Sequence, residues 1–82
     1  MDHRHIIKHI ESYDDAKYMY LVMELMPDAI ELQDLIDLKI KEAPSTDTML
    51  YSEKEVRHLM HMILSGIMHV HANGVVHRDL KP

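Results

Sequence analysis

The chain has 82 residues, enough for one small domain but too few for a large catalytic one, and a unit of this size buries only about 60% of its unfolded surface. Its 9 Lys and Arg against 14 Asp and Glu give a net charge of -5, and no basic block with interleaved aromatics occurs, which counts against nucleic acid and anionic membrane as partners. It has no cysteine, so a disulfide frame, a thiolate metal site and a Cys nucleophile are excluded, and a reducing compartment fits.

Taken in chain order, Ile6 to Tyr13 and Lys17 to Leu25 are rich in β-branched, aromatic and long apolar residues and are separated by the polar "DDA". This pattern predicts an antiparallel hairpin. The nearly continuous apolar run "YMYLVMEL" predicts a second strand covered on both faces. Pro27 and Asp28 interrupt the run. From Glu31 the spacing of Leu32, Leu35, Ile36 and Ile40, with Asp34, Asp37, Lys39 and Lys41 turned outward, predicts a short amphipathic helix. "EAPSTDTML" reads as a loop.

"YSEKEV" is the strongest local signal. Ser52 can cap a first turn while Glu55 reaches back to it, and Tyr51 and Val56 are spaced as a hydrophobic staple. The helix that starts here carries the apolar stripe Val56, Leu59, Met60, Ile63, Leu64, Ile67 and Val70, and stops at "ANG", where Gly74 supplies a left-handed residue. About 20 residues at about 1.5 Å each make a rod of about 30 Å. "VV" after it predicts a two-residue strand leading to His77.

Apolar runs fall short of the roughly 18 residues of a membrane span, since Glu24 breaks "YMYLVMELM", and "MDHRHIIKH" has no signal-like apolar core. A soluble, cytoplasmic chain is expected. With only Gly66 and Gly74, no Gly-rich phosphate loop fits within these residues. His58, His61 and His69 share the polar face of the long helix with Ser65, which admits a surface metal clip, although no carboxylate joins them in register. The methionines along this helix, Met60, Met62 and Met68, read as apolar filler.

The chain ends in "HANGVVHRDLKP". With the preceding hairpin, the "MEL" strand end, the short helix and the capped long helix, this resembles the protein kinases, and within them the calcium- and calmodulin-dependent branch of the serine/threonine kinases. The resemblance covers essentially the whole chain. "HRHIIK" looks like the loop entering the fourth strand of the small lobe, and "HRDLKP" looks like the first six residues of the catalytic loop.

Phosphoryl transfer needs a positioned acceptor hydroxyl and neutralisation of spreading negative charge. A carboxylate and an ammonium two residues apart in an extended loop suit that task. The resemblance implies that Asp79 orients the substrate hydroxyl and accepts its proton, and that Lys81 sits against the transferring phosphate. His77 matches the family histidine that packs under the loop. Arg78 resembles the arginine of kinases switched on by activation-loop phosphorylation, which pairs with the new phosphate. By the same match Met23 is the gatekeeper behind the adenine, Glu24 offers its backbone carbonyl and Met26 its backbone amide. Where many relatives have "GGEL", this chain has "PDAIEL", which leaves the ribose contact open between Glu31 and Asp28. His71 resembles a histidine that fastens this helix to a later one, and His9 stands where relatives often have an apolar residue.

The expected fold is therefore α+β, a partial protein kinase fold. Residues 1–26 would form the end of the small lobe and the hinge, and residues 27–82 the start of the large lobe up to the catalytic loop. The implied function is transfer of the γ-phosphoryl group of ATP to a protein Ser/Thr hydroxyl. ATP and magnesium are the implied cofactors. No metal ligand is expected in the chain, because the Asn that follows the catalytic Asp by five positions in the family would fall beyond Pro82. The 82 residues alone are expected to be inactive, and their exposed apolar surface implies self-association. The rival readings are a non-catalytic truncated fragment serving as an interaction module, and a His-rich metal-binding helical protein.

Overall fold

The computed structural model describes residues 2–82 and contains two strands followed by two helices, β1 (His9–Asp14), β2 (Met19–Met23), α1 (Leu32–Glu42) and α2 (Glu53–Ala72). β1 and β2 form a two-stranded antiparallel sheet with Tyr13 opposite Tyr20 and His9 opposite Met23. The Tyr13 and Tyr20 rings stack at 4.9 Å between centroids, a cross-strand pair of the kind that holds a hairpin in register. The strands are shorter than the apolar runs predict. A register shift between His9 and Glu11 disturbs the ladder at its open end, and there the Lys8 amide donates to the Glu24 side chain at 2.8 Å instead of to another strand.

Asp15 closes the hairpin. Its N–H donates to Tyr18 O at 2.9 Å, and its Oδ1 accepts from the amides of Lys17 and Tyr18, both at 2.8 Å. An aspartate that folds back on its own backbone in this way fixes a tight turn. The Tyr20 hydroxyl donates to the second oxygen at 2.8 Å.

α2 begins with the reciprocal cap that "SEKE" predicts. Ser52 Oγ accepts from the Glu55 amide at 3.1 Å, and a Glu55 carboxylate oxygen accepts from the Ser52 amide at 3.0 Å. At the far end Asn73 is the C-cap and Gly74 has φ 76°, a conformation glycine reaches without a Cβ penalty. Val56 is exposed, while Lys39 Nζ lies 4.1 Å from the centre of the Tyr51 ring and donates to Leu50 O at 3.4 Å. Lys39, expected to point outward from α1, is thus half-buried. Its aliphatic stem can cover apolar surface while the ammonium meets a ring face.

None of the described residues builds a hydrophobic core. The Cα radius of gyration is 16.7 Å, against roughly 12 Å for a compact domain of this length. Met19 and Leu21, expected to be covered on both sides of the sheet, are 76% and 61% exposed, because no element lies over either face. On α2 the covered side keeps Leu59, Ile63, Ile67 and Val70 of the expected stripe, all half-buried, and extends beyond it. Val56, Met60 and Leu64 are exposed, whereas Met62, Ser65 and His69 are half-buried and Gly66 is buried. The reason is the N-terminal segment, which crosses the helix at Gly66. A Cβ on residue 66 would lie 3.3 Å from His5 O and 3.5 Å from Ile6 Cγ1, an approach that glycine permits. Among the described residues no helix is long and apolar enough to cross a membrane.

The hydrogen bonds to Asp15, first the Lys17 amide, then the Tyr18 amide and the Tyr20 hydroxyl, hold its carboxyl below the usual carboxylate range. A depressed folded-state pKa contributes stability that is present above the unfolded value of about 3.9 and is lost as pH falls through the lowered folded value. The turn is therefore expected to loosen only in strong acid, and weakly, since the group is exposed. The Tyr13–Tyr20 contact followed by NMR during acid titration should fade in the parent and stay constant in Asp15→Asn, which keeps an acceptor but does not titrate. Equal fading in both would show that Asp15 does not control the turn.

Candidate active site

The residues after α2 are delivered by the Asn73–Gly74 reversal. The Val75 amide donates back to Val70 O at 3.2 Å, and Val75 and Val76 continue without pairing. The two-residue strand expected here does not form, because no strand edge runs beside them among the described residues.

At the next residues the backbone turns sharply. Arg78 has φ 72°, the left-handed region that costs a non-glycine residue roughly 1–2 kcal/mol. His77 Nδ1 accepts from the Asp79 amide at 3.0 Å, which closes the turn around Arg78. His77 and Leu80 line one cavity with His5, Ile6, Ile67 and His71. Asp79 and Lys81 extend into solvent, each with 74% side-chain exposure, and pair at 3.1 Å between Oδ2 and Nζ. Sequence position alone places His77, Asp79 and Lys81 on alternate residues. The positive φ of Arg78 sorts them into an anchored side and an open side. Exposed ion pairs are weak, so Asp79 and Lys81 can part to meet another group.

His71, expected to fasten this helix to a later one, is exposed. It borders the cavity beneath the loop, but no later element covers it among the described residues.

The second group of site residues follows β2. Glu24 is held twice to Lys8. Its amide donates to Lys8 O at 2.9 Å, and its Oε1 accepts from the Lys8 amide at 2.8 Å. Met26 O accepts from the Ala29 amide at 3.1 Å across the Pro27–Asp28 turn. Among the described residues, the Glu24 carbonyl and the Met26 amide enter none of the backbone hydrogen bonds outside helices and strands. A free carbonyl and a free amide two residues apart on an extended segment can meet the donor–acceptor edge of a purine. Met23, at the end of β2, is 52% exposed and Met26 46%. Glu31 is the N-cap of α1, and its side chain makes no cap hydrogen bond. Asp28 lies in the turn.

The histidines divide differently from expectation. His58 and His61 are exposed on α2, but His69 turns under the N-terminal segment, where its ring lies 5.1 Å from that of His3. Among the described residues, no three His, Asp or Glu side chains converge well enough to hold a metal ion. Sequence reading placed Ser65 on the polar face of α2 and did not single out His3 or His5. The available signal was a small residue, Gly66, flanked on the same helix face by His61, Ser65 and His69, which marks a place where another backbone can approach.

Residues 1–82 match the family model for the protein kinase domain. The chain belongs to the protein kinase family. It is 41% identical over 80 residues to the phosphorylase b kinase gamma catalytic chain, liver/testis isoform, of Homo sapiens, covering 98% of this chain and 17% of that one. It is 39% identical over 80 residues to calcium/calmodulin-dependent protein kinase type 1 of Caenorhabditis briggsae, covering 98% and 20% of the two chains. A probable myosin light chain kinase of Dictyostelium discoideum is 36% identical over 81 residues, 99% of this chain and 23% of its own length. The chain thus spans between about a sixth and a quarter of these relatives. No solved structure matches it. The resemblance to serine/threonine kinases drawn from "HRDLKP" agrees with these relatives, and a hairpin followed by two helices agrees with a partial α+β kinase fold.

Proposed function

We propose that these residues supply the hinge and the beginning of the catalytic loop of a serine/threonine protein kinase, which transfers the γ-phosphoryl group of ATP to a hydroxyl of a protein substrate. Residues 1–26 are read as the end of the small lobe with the hinge, and residues 27–82 as the start of the large lobe. The observation that carries the reading is the outward pair Asp79–Lys81 on a turn strained at Arg78 and tied down by His77.

Asp79 accepts the proton of the substrate hydroxyl as its oxygen bonds to the γ-phosphorus and the bond to the departing ADP breaks. Lys81 offsets negative charge on the transferring group. Arg78 is free to pair with a phosphate on a neighbouring segment. The Glu24 carbonyl and the Met26 amide are read as the adenine contacts, with Met23 as the wall behind them. ATP and magnesium are the cofactors such a kinase would use, and among the described residues no three His, Asp or Glu side chains converge to hold a metal ion. We also infer that the 82 residues by themselves do not bind ATP, since their 2 glycines cannot build a loop that cradles its phosphates.

In the full-length protein, Asp79→Asn should lower kcat by about 10²-fold or more with the KM for ATP almost unchanged, because the carboxylate acts on the acceptor hydroxyl and not on the nucleotide. Steady-state kinetics read this directly, and near-parental turnover would remove Asp79 from the role. Met23→Gly should admit purine analogues bearing bulky substituents that the parent excludes. Inhibition curves that coincide for parent and variant would show that Met23 is not the pocket wall. Calorimetric titration of the 82-residue chain with ATP and magnesium should give no binding heat, and a stoichiometric isotherm would overturn the inference of inactivity.

A further inference from the structure

The N-terminal segment meets α2 through a histidine whose two ring nitrogens both have partners. His3 Nδ1 accepts from the His5 amide at 3.0 Å, so it carries no proton. The neutral ring must then carry its hydrogen on Nε2, which lies 3.1 Å from Ser65 Oγ on α2 and donates to it. The ring is half-buried and lies against those of His5 and His69, at 5.5 Å and 5.1 Å between centroids. Immediately beside it, the His5 carbonyl and the Ile6 side chain rest on Gly66.

We propose that His3 is a pH-operated clasp, which holds the segment of residues 2–7 on α2 while its ring is neutral and releases it when the ring takes a second proton. That proton can go only to Nδ1, where it replaces an acceptor by a donor facing the His5 N–H. The surroundings do little to offset the new charge. From its own segment the ring has Asp2, Arg4 and His5 as neighbours, from the start of β1 and the hinge Lys8 and Glu24, and from α2 His61 and His69, with His58 beyond. Glu24 is already engaged with the Lys8 amide. Of these groups only Asp2 and Glu24 are acids. Local desolvation and then the charges of Arg4, His3, His61 and His58 already lower the pKa of His5, as a cluster of cationic groups should.

The consequence reaches past the segment itself. Among the regular elements, only β1 and β2 pack against each other. The segment that precedes β1 therefore carries the contact between the hairpin side of the chain and α2, and its release lets the hinge move relative to the loop that holds Asp79.

The test uses hydrogen exchange in the full-length protein at about pH 7.5 and about pH 5.5, a range in which histidine changes charge, with rates corrected for intrinsic pH dependence. Protection of the peptide spanning residues 5–7 should fall by about tenfold or more at the lower pH in the parent. In His3→Asn, whose Oδ1 can replace the Nδ1 acceptor but cannot titrate, protection should stay within about twofold. Peptides from β2 and the middle of α2 should keep their protection in both. Undiminished protection in the parent at low pH, an equal fall in both proteins, or a fall shared by β2 would each overturn the proposal. A second measurement does not depend on the variant docking. ¹⁵N shifts of the His3 ring at neutral pH should report the Nε2–H form, and an Nδ1–H form would overturn the clasp.

Discussion

The approach of the His5–Ile6 backbone to Gly66 is the contact on which the arrangement of this chain depends. Without a core, the hairpin and the helices have little to fix their relative positions, and short elements of this kind are marginal alone. A glycine on the covered face of α2 lets a carbonyl come within van der Waals distance of the helix, and Ser65 and His69 on either side supply a hydrogen bond and a ring contact to His3. A Cβ at position 66 would stand 3.3 Å from His5 O, so the segment would have to give by a few tenths of an ångström to admit even alanine. The covered face of α2 joins four residues of its apolar stripe, Leu59, Ile63, Ile67 and Val70, to Ser65, Gly66 and His69 beneath this crossing.

The same crossing reaches the chemistry. The cavity beneath the terminal loop is lined on one side by His5 and Ile6 and on the other by His77 and Leu80, so the segment that fixes the hairpin also floors the loop carrying Asp79. The strain at Arg78 has a physical use here. A left-handed residue between His77 and Asp79 reverses the alternation of an extended chain, which allows one side to be anchored while carboxylate and ammonium stay open to solvent. After β2, the two hydrogen bonds between Glu24 and Lys8 play a comparable part. They use the Glu24 amide and carboxylate within the protein and leave the neighbouring carbonyl and the Met26 amide outside the backbone hydrogen bonds.

The apolar surface left open is the counterpart of this economy of contacts. Met19, Leu21, Leu25 and Met68 are more than 60% exposed, and surfaces of that kind are normally covered by other protein. The relatives offer a frame for this, since the chain corresponds to between about a sixth and a quarter of their length. In this chain the local geometry of the amphipathic elements is well formed while their burial is not.

Local signals in the sequence determined the local structure. The Ser52–Glu55 cap, the glycine stop at Gly74, the aspartate turn at Asp15 and the period of α1 and α2 each depend on residues within a few positions of one another, so spacing alone suffices to read them. The residues proposed for catalysis were legible in the same way, because "HRDLKP" is a contiguous run. Tertiary structure alone decided the rest. Nothing local indicates that a segment more than 60 residues away in sequence crosses α2 at Gly66, that this crossing turns Ser65 and His69 inward and leaves Leu64 exposed, that Lys39 folds onto Tyr51, or that Val75 and Val76 find no strand to pair with. Each of these outcomes depends on which surfaces meet, and meeting is a property of the folded chain and not of any window along it.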